Sequence, residues 1–579
     1  MALADELAAA GVAAGTAVAL VVVPDLGVVV AWPGGGWQLP GTDPDDLRRE
    51  LGGVDVRWTW WSARETAAPL VAAGLRPRAC WDLGAVARLL DGTARDDAAA
   101  IWAAHRGLAA PALRLGAPDL FDHADDDTRP VGPDGQLSAA WLRGAWSDDL
   151  ANASQWAGLA LEVQAGQEAS LRALPDPRAA PRQPPLALLT GWSESAAAAM
   201  AVELEHDGLP LDREVAGDLL RVMVGERPVD AHHAAAQRRA RDERVLALFP
   251  RGDEVVDLRN PSQVRAMLAR IGLDLPDTRS WRLEPHAATL EPVAALLAWR
   301  KAERMSTTYG WGWLDRHVGP DGRLRGGWSA AEGAGRMSAQ AGLHSLPAGM
   351  RPAVRADPGW VLVRADLGQV EPRVLAVVSG DQELARAARE DDMYAPVAAQ
   401  LRCDRPTAKV AVLAAMYGQT SGAAGAALRD MDRAYPAAMA YLRTAEDAGR
   451  NRVDLRTYGG RLLALSRAPA TTGSEDGGEE RFPPSAWGRF ARNAVVQGAA
   501  AELFKAWAVT VRSGLAALDG RIVLCLHDEL LLHVPSEQAD AAGELLVASL
   551  ESTARWWAAG SRVRFIADVS AGASWADAH

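Results

Sequence analysis

Residues 360–380, WVLVRADLGQVEPRVLAVVSG, begin with a mostly apolar run at 361–365 that ends on one carboxylate, Asp366. After a short turn, Val370, Glu371, Pro372 and Arg373 open a second apolar run with helical character. The pattern predicts a strand that delivers an acid to its tip, against the start of a helix. Two downstream stretches add to it. Residues 404–418, DRPTAKVAVLAAMYG, read as a helix that Asp404 can cap, with Pro406 in the first turn where proline is tolerated. Residues 521–535, RIVLCLHDELLLHVP, read as a hairpin whose apolar arms, 522–526 and 530–534, flank His527, Asp528 and Glu529 in the bend.

Upstream, residues 16–30 read as two short strands around Pro24 and Asp25, 54–61 as a strand and 63–74 as a helix. Residues 80–90 continue the αβ character, and 147–174 form a long helix with Ser147 as its cap. These elements predict a compact α/β unit. Five prolines in twelve residues, LPDPRAAPRQPP at 174–185, block both helix and sheet ladder and predict a linker at the main domain boundary. Helix resumes at 194–207 and dominates to about residue 316, with Asn260 capping a helix over 263–271. Residues 319–327 read as a turn between short strands, and the acidic, glycine-rich 471–480 as an exposed loop. No repeat period and no Walker phosphate loop occurs.

At 579 residues the chain is long enough for several domains, and 49% hydrophobic with 23% charged residues is ordinary for a globular protein. Cys80, Cys403 and Cys525 lie far apart with no CxxC pair, which argues against a disulfide framework or zinc site and for a reducing cytoplasm. Asp5 and Glu6 precede the first apolar stretch with no Lys or Arg, and Pro24 and Asp25 interrupt it, so neither an export signal nor a membrane anchor is expected. A net charge of −13 weighs against a non-specific nucleic-acid coat, but not against a nucleic-acid enzyme, whose binding depends on local basic clusters. The 22 tryptophans are scattered and read mostly as packing.

Chemistry enters with the helix at 404–418. Arg405, Lys409, Leu413 and Tyr417 are spaced by four, and each such step advances about 40° around a helix, giving one slowly drifting stripe. Two cations stand near the positive end of the helix dipole, where phosphates bind well, and an aromatic ring stands at the other end, able to lie against a base. A nucleotide laid along the helix fits this; a solvated Arg/Lys pair with a core tyrosine fits it too. In the hairpin, three ionisable residues between apolar arms are costly unless solvated, paired or bound to metal. One account is a structural turn. The other brings Asp528 beside Asp366, where two carboxylates could hold a pair of Mg²⁺ ions about 3.5–4 Å apart, the ions keeping water and substrate phosphates as their other ligands.

With these motifs in hand, the chain resembles a family A DNA polymerase. DLGQVEPR (366–373) resembles the family's DYSQIELR, RPTAKVAVLAAMYG (405–418) its Arg-x3-Lys-x3-Phe-x3-Tyr-Gly helix, and HDE (527–529) matches its third motif. GRMS (335–338), TYGGR (457–461) and NAVVQGAAAELFK (493–505) resemble TGRLSS, T-x-x-G-R and NAPMQGTAADIIK, and the order is the family's. The resemblance implies an α/β and α+β multidomain fold. Residues 1–173 would be an RNase H-like, 3′–5′ exonuclease-type domain, 174–186 a linker and 187–579 a right-hand polymerase domain. Within the last, the thumb would span about 211–325, the palm about 187–210, 326–383 and 506–579, and the fingers about 384–505. It implies template-directed addition of deoxynucleotides to a primer 3′ end. Asp366 and Asp528, with the Leu367 carbonyl, would bind two Mg²⁺. Arg405 and Lys409 would grip the triphosphate, Lys409 also protonating the pyrophosphate. Tyr417 and Leu413 would adjoin the nascent pair and Gln369 the sugar and phosphates. Glu371 would be the gate against a ribose 2′-hydroxyl. Arg336, Arg489, Asn493, Gln497 and His527 would contact primer and template, and Glu529 would support the acids from behind. Primer–template DNA and dNTPs would be the partners of a monomer acting in replication or repair.

The departures are specific. Leu413 stands where the family has Phe or Tyr, and Ala414 where it has Gly, which bears on dideoxynucleotide discrimination. Leu367, Gly368 and Pro372 replace Tyr, Ser and Leu, none of which supplies the carboxylate. The exonuclease ligands implied for the N-terminal unit are missing: Asp25 is followed two places on by Gly27, the second site falls near Glu65 and Thr66, and the third near Trp156 and Ala160. A retained fold without proofreading is expected. A bifunctional exonuclease/polymerase and a catalytically silent primer–template binder are the competing readings, and Glu371 makes an RNA-synthesising relative the remotest.

Overall fold

The alternation of Val and Ala at the start of the chain is resolved by burial on both sides of one strand. In the computed structural model, which describes residues 2–578 except 94, 113–128, 251–255, 419–422 and 468–482, Ala17–Val23 is the middle strand of a five-stranded sheet. Ala19, Val21 and Val23 join one core with Trp81 and Trp156, and Val18, Leu20 and Val22 join another with Trp58 and Trp60, as the two-residue period of a strand requires. Gly27–Trp32 and then Gly35–Pro40 add antiparallel on one side; Arg57–Trp60 and Cys80–Asp82 add parallel on the other. The helix predicted from residue 147 starts later, at Leu150–Ala173, because Asp149 caps it by accepting from the Asn152 amide. Ser147 instead closes a short 3₁₀ turn, its hydroxyl donating to the Gly144 carbonyl.

The proline-rich 174–185 has no helix or strand, as expected, yet it is not a free tether. The Arg178 side chain is fully buried, pairs with Asp176 and donates to the carbonyls of Trp556, Arg182 and Pro184. The next helix, Leu186–Asp207, begins directly after Pro185, eight residues before the expected start at 194. It contributes Leu188 to one N-terminal core, Ala199 to the other, and Leu204 to the large C-terminal core. The two halves therefore share a helix across the predicted boundary. Beyond it a run of helices follows, including Pro261–Ala269 capped by Asn260 as predicted. The turn at 319–327 contains the short strand Arg323–Leu324, paired with Leu209–Pro210.

The C-terminal sheet has four antiparallel strands in the order Arg521–Cys525, Glu529–Pro535, Trp360–Leu367, Ala567–Gly572. It packs with the helices Pro484–Leu515 and Ala539–Trp557 in the large core. The loop expected at 471–480 lies outside the described residues. The reading of tryptophan as packing fits: Trp60, Trp81, Trp102, Trp141, Trp507 and Trp575 are among the largest fully buried side chains. The three cysteines are free, and no helix of the described residues is long and apolar enough to cross a membrane.

Candidate functional site

The strand Trp360–Leu367 carries Asp366 near its end, and the Arg521–Cys525/Glu529–Pro535 hairpin lies against it so that Asp366 faces Glu529 across the ladder. The Leu367 amide donates to the Asp528 carbonyl at 2.7 Å, so the backbones of the two predicted acids meet at the end of the two central strands. Burial, and next the Asp528 carboxylate, push Asp366 up to about 6. Burial, with Glu529 and Glu371 behind it, also raises Asp528. Two carboxylates brought together in this way resist ionising side by side. Glu529 is buried and engaged: Arg364 pairs with it at 2.8 Å while donating to Asp366 at 3.0 Å, and the Trp575 indole donates to it at 2.7 Å. Arg364 stands two residues before Asp366 on the same strand face, a spacing visible in the sequence. Trp575 arrives from the far end of the chain and had no local signal. Asp568, exposed, faces Asp366 from the other neighbouring strand.

After Asp366 the chain turns through Gln369, whose φ of +56° lies in the left-handed region, at a cost of about 1 kcal/mol for a residue with a side chain. Helix Val370–Ser379 then begins. The predicted cationic helix is Arg405–Tyr417, and Asp404 caps it by accepting from the Thr407 amide. Both ends of its stripe are tied to the acid-bearing turn. At the first end, Gln369 donates to Asp392 at 3.3 Å, and Asp392 pairs with Arg405 at 2.6 Å. At the other, the Tyr417 hydroxyl donates to Glu371 at 3.3 Å. Arg405 and Lys409 are exposed, Lys409 has no ion pair among the described residues, and Leu413 is half-buried against the core. Asp392 was not singled out from the sequence; its partner lies thirteen residues away, across the helix Tyr394–Leu401.

Glu371 also receives Arg336 at 2.6 Å. Arg336, Asn493, Gln497 and His527 line one cavity of about 350 Å³ together with His344 and Phe490, which sequence reasoning missed. The Asn493 carbonyl oxygen is buried there without a hydrogen-bond partner, and the His344 and His527 rings meet edge to face at 5.2 Å. Arg489 does not line this cavity; it is exposed one helical turn before Asn493, beside Gly418. Among the described residues no group of three or more His, Cys, Asp or Glu side chains is placed to hold a metal ion. Asp366 and Asp528 remain a pair.

In the N-terminal unit, Asp25 sits in the turn between two strands at a φ of +64°. At the third exonuclease site implied by the resemblance, Trp156 and Ala160 are buried. Trp156 stacks on Trp61 at 4.5 Å and on Trp146 at 6.0 Å, so aromatic packing occupies this face. Asp82 is buried as a helix cap, accepting from the Ala85 and Ala63 amides and the Trp60 indole.

The sheet with its acidic end, the stripe tied to the acid-bearing turn at both ends and the neighbouring cleft agree with what comparison finds. The model of DNA polymerase family A matches residues 251–577, more than half of the sequence, and the chain belongs to that family. It is 29% identical over 289 residues to DNA polymerase I of Chloroflexus aurantiacus, covering 44% of this chain and 30% of that protein. It is 28% identical over 282 residues to the thermostable DNA polymerase I of Thermus aquaticus (44% and 33%) and 26% over 397 residues to DNA polymerase I of Pseudomonas aeruginosa (61% and 42%). The chain thus spans about a third of the length of the first two relatives. Its fold is similar to that of the POL domain of Pol1 from M. smegmatis, solved with a DNA primer-template and dNTP, with a TM-score of 0.66 and 20% identity over 100% of this chain and 98% of that one.

Proposed function

We propose that the chain is a template-directed DNA polymerase that adds deoxynucleotides to a primer 3′ end by phosphoryl transfer, in which positioning and charge stabilisation supply most of the catalysis. The observation that carries this reading is the meeting of Asp366 and Asp528 at the end of the two central strands. Residues 187–579 would act as palm, fingers and thumb, and the mixed five-stranded sheet supports an RNase H-like, exonuclease-type reading of residues 1–173.

Asp366 and Asp528, with the Leu367 carbonyl, would hold two Mg²⁺ ions. Hard oxygen donors suit Mg²⁺, and a carboxyl held up to about 6 by burial and its neighbour is one that a cation would relieve. Bound there, the ions would neutralise charge on the reacting phosphoryl oxygens. Arg405 would leave Asp392 for the triphosphate, at small cost because that pair is exposed. Lys409, on the same stripe, would donate a proton to the departing pyrophosphate. Glu371, fixed by Arg336 and Tyr417, would crowd a ribose 2′-hydroxyl. Arg336, Asn493, Gln497 and His527 would face the minor groove, whose acceptor pattern is degenerate and so tests pair shape rather than sequence.

Labelled primer–template with Mg²⁺ tests both halves of the proposal. Extension is expected with dNTPs, and no shortening of the primer is expected without them, because aromatic rings stand where exonuclease ligands were sought. Shortening that survives Asp528→Ala and disappears on deletion of residues 1–173 would establish a proofreading unit. DNA binding with no extension would leave a silent binder.

Metal affinity should depend on pH. Below about 6 the Asp366 carboxyl is protonated and a metal must displace that proton, so Mn²⁺ affinity for the free protein should fall at least about tenfold per pH unit there, and level off above. Titration by electron paramagnetic resonance between pH 5 and 8 reads this out; a flat profile would remove Asp366 from the ligand set.

A further inference from the structure

Behind the cleft lies a charged cluster that the proposed chemistry does not use. Glu194, on the helix shared by the two halves, is buried and pairs with Lys505 at 2.5 Å and Arg461 at 2.6 Å, both buried as well. Glu502 completes the cluster by accepting from the Gly459 amide at 2.8 Å and from the Thr457 hydroxyl. Four buried ionisable side chains are an expensive way to fill a core, since apolar residues of similar volume do as well or better for stability alone.

Both cations reach the same hairpin, the strands Trp328–Glu332 and Arg336–Ala339. Lys505 donates to the Ala330 carbonyl on the first strand at 3.3 Å. The Arg461 guanidinium lies directly under Gly335, where a methyl group would overlap it, and Gly335 has a φ of +100°. The next residue is Arg336, which holds Glu371 at 2.6 Å, and Glu371 in turn receives the Tyr417 hydroxyl. An unbroken series of contacts runs from Glu194 through two cations and the hairpin turn to the carboxylate proposed to face the sugar.

We infer that Glu194, Lys505 and Arg461 are positioning residues for Arg336, and through it set the sugar selectivity of the site; the inference rests on the polymerase reading above. Glu194 fixes the two cations, the cations fix the hairpin, and the hairpin fixes the direction from which Arg336 grips Glu371. Loosening the hairpin frees Glu371 to swing away from the 2′ position, which admits ribonucleotides without removing any group that touches the phosphates.

The test is the ratio of kcat/KM for dNTP to that for the matching rNTP, measured for wild type, Lys505→Met, Arg336→Ala and the double variant. Lys505→Met removes the bond to Ala330 and leaves Glu194 paired with Arg461, so it avoids an orphaned buried carboxylate. The charge-balanced pair Glu194→Gln with Lys505→Met is the second probe. The ratio is expected to fall about tenfold in each single variant, and the effects should not multiply in Lys505→Met/Arg336→Ala, because both act through the same contact. A Lys505→Met enzyme that melts lower but keeps the wild-type ratio would overturn the inference and leave the polymerase reading standing, as would effects that multiply. A wild type that extends no primer would overturn both.

Discussion

Alanine in place of Asp366 or Asp528 is expected to lower primer extension at least about 10³-fold, about 4 kcal/mol of transition-state stabilisation, while leaving the protein folded and no less stable. Loss of activity together with preserved stability is what separates this from a structural role. Burial first, and the Asp528 carboxylate next, raise Asp366 from 3.8 to about 6, so the fold disfavours its ionised form. A group whose folded pKa lies above its unfolded one binds more protons in the folded state, and stability falls as pH rises through the interval between the two. For the metal-free wild type, Asp366 contributes a decline between about pH 4 and 6; Asp366→Ala loses that contribution, so its decline over this interval is smaller, while Asp528, raised by its own burial, keeps its share. At neutral pH the variant is freed of this cost, and Arg364 keeps Glu529 as a partner. Thermal melting at pH 4, 6 and 7.5, with and without Mg²⁺, measures the stability side, and single-turnover incorporation the other. Incorporation within tenfold of wild type, or a variant that melts well below it at pH 7.5, would refute the assignment.

That prediction could be framed from the sequence because the elements carrying the acids announce themselves locally. An apolar run ending in Asp366, two apolar arms around His527, Asp528 and Glu529, and cations four apart behind Asp404 all obey short periods, and the structure has each element close to the predicted bounds. What was not legible lies in the long-range partners. Asp392 in front of Arg405, Trp575 on Glu529 and the Glu194 cluster join residues whose separation along the chain carries no periodic signal. Local competition defeated finer details as well. Ser147, Asp148 and Asp149 are all plausible caps, and Asp149 prevails because only it is followed directly by continuous helix. The proline-rich segment reads as an irregular linker, and it has no helix or strand, but proline density says nothing about an arginine that docks the segment onto the C-terminal half.

Arg373 shows how much such a partner can carry. In the sequence it is only the last letter of DLGQVEPR; in the structure it is fully buried and among the largest such side chains. Among the described residues no carboxylate forms an ion pair with it. Its guanidinium instead donates to five backbone carbonyls, of Gly368, Ala388, Glu390, Asp391 and Arg564, at 2.6 to 3.0 Å. Burial pulls its pKa down, while Asp391 and Asp392 lie close enough to oppose that. One side chain thereby joins the turn after Asp366, the loop that presents Asp392, and the segment leading into the last strand. Arg373→Met should lower the unfolding free energy by at least about 3 kcal/mol, because five buried acceptors lose a charged donor at once. Arg373→Lys should recover little, since an ammonium offers three donors from one point and cannot reach carbonyls arrayed around a planar fork. The first loss in a urea titration should be local: the 388–393 loop releases Gln369, which Asp392 and the Met393 amide hold in place, from its position beside the nucleotide, so KM for dNTP should rise in urea concentrations too low to unfold the protein. A variant that melts like wild type, or one rescued by lysine, would mean that water satisfies those carbonyls and that the acid-bearing turn holds its shape without the arginine.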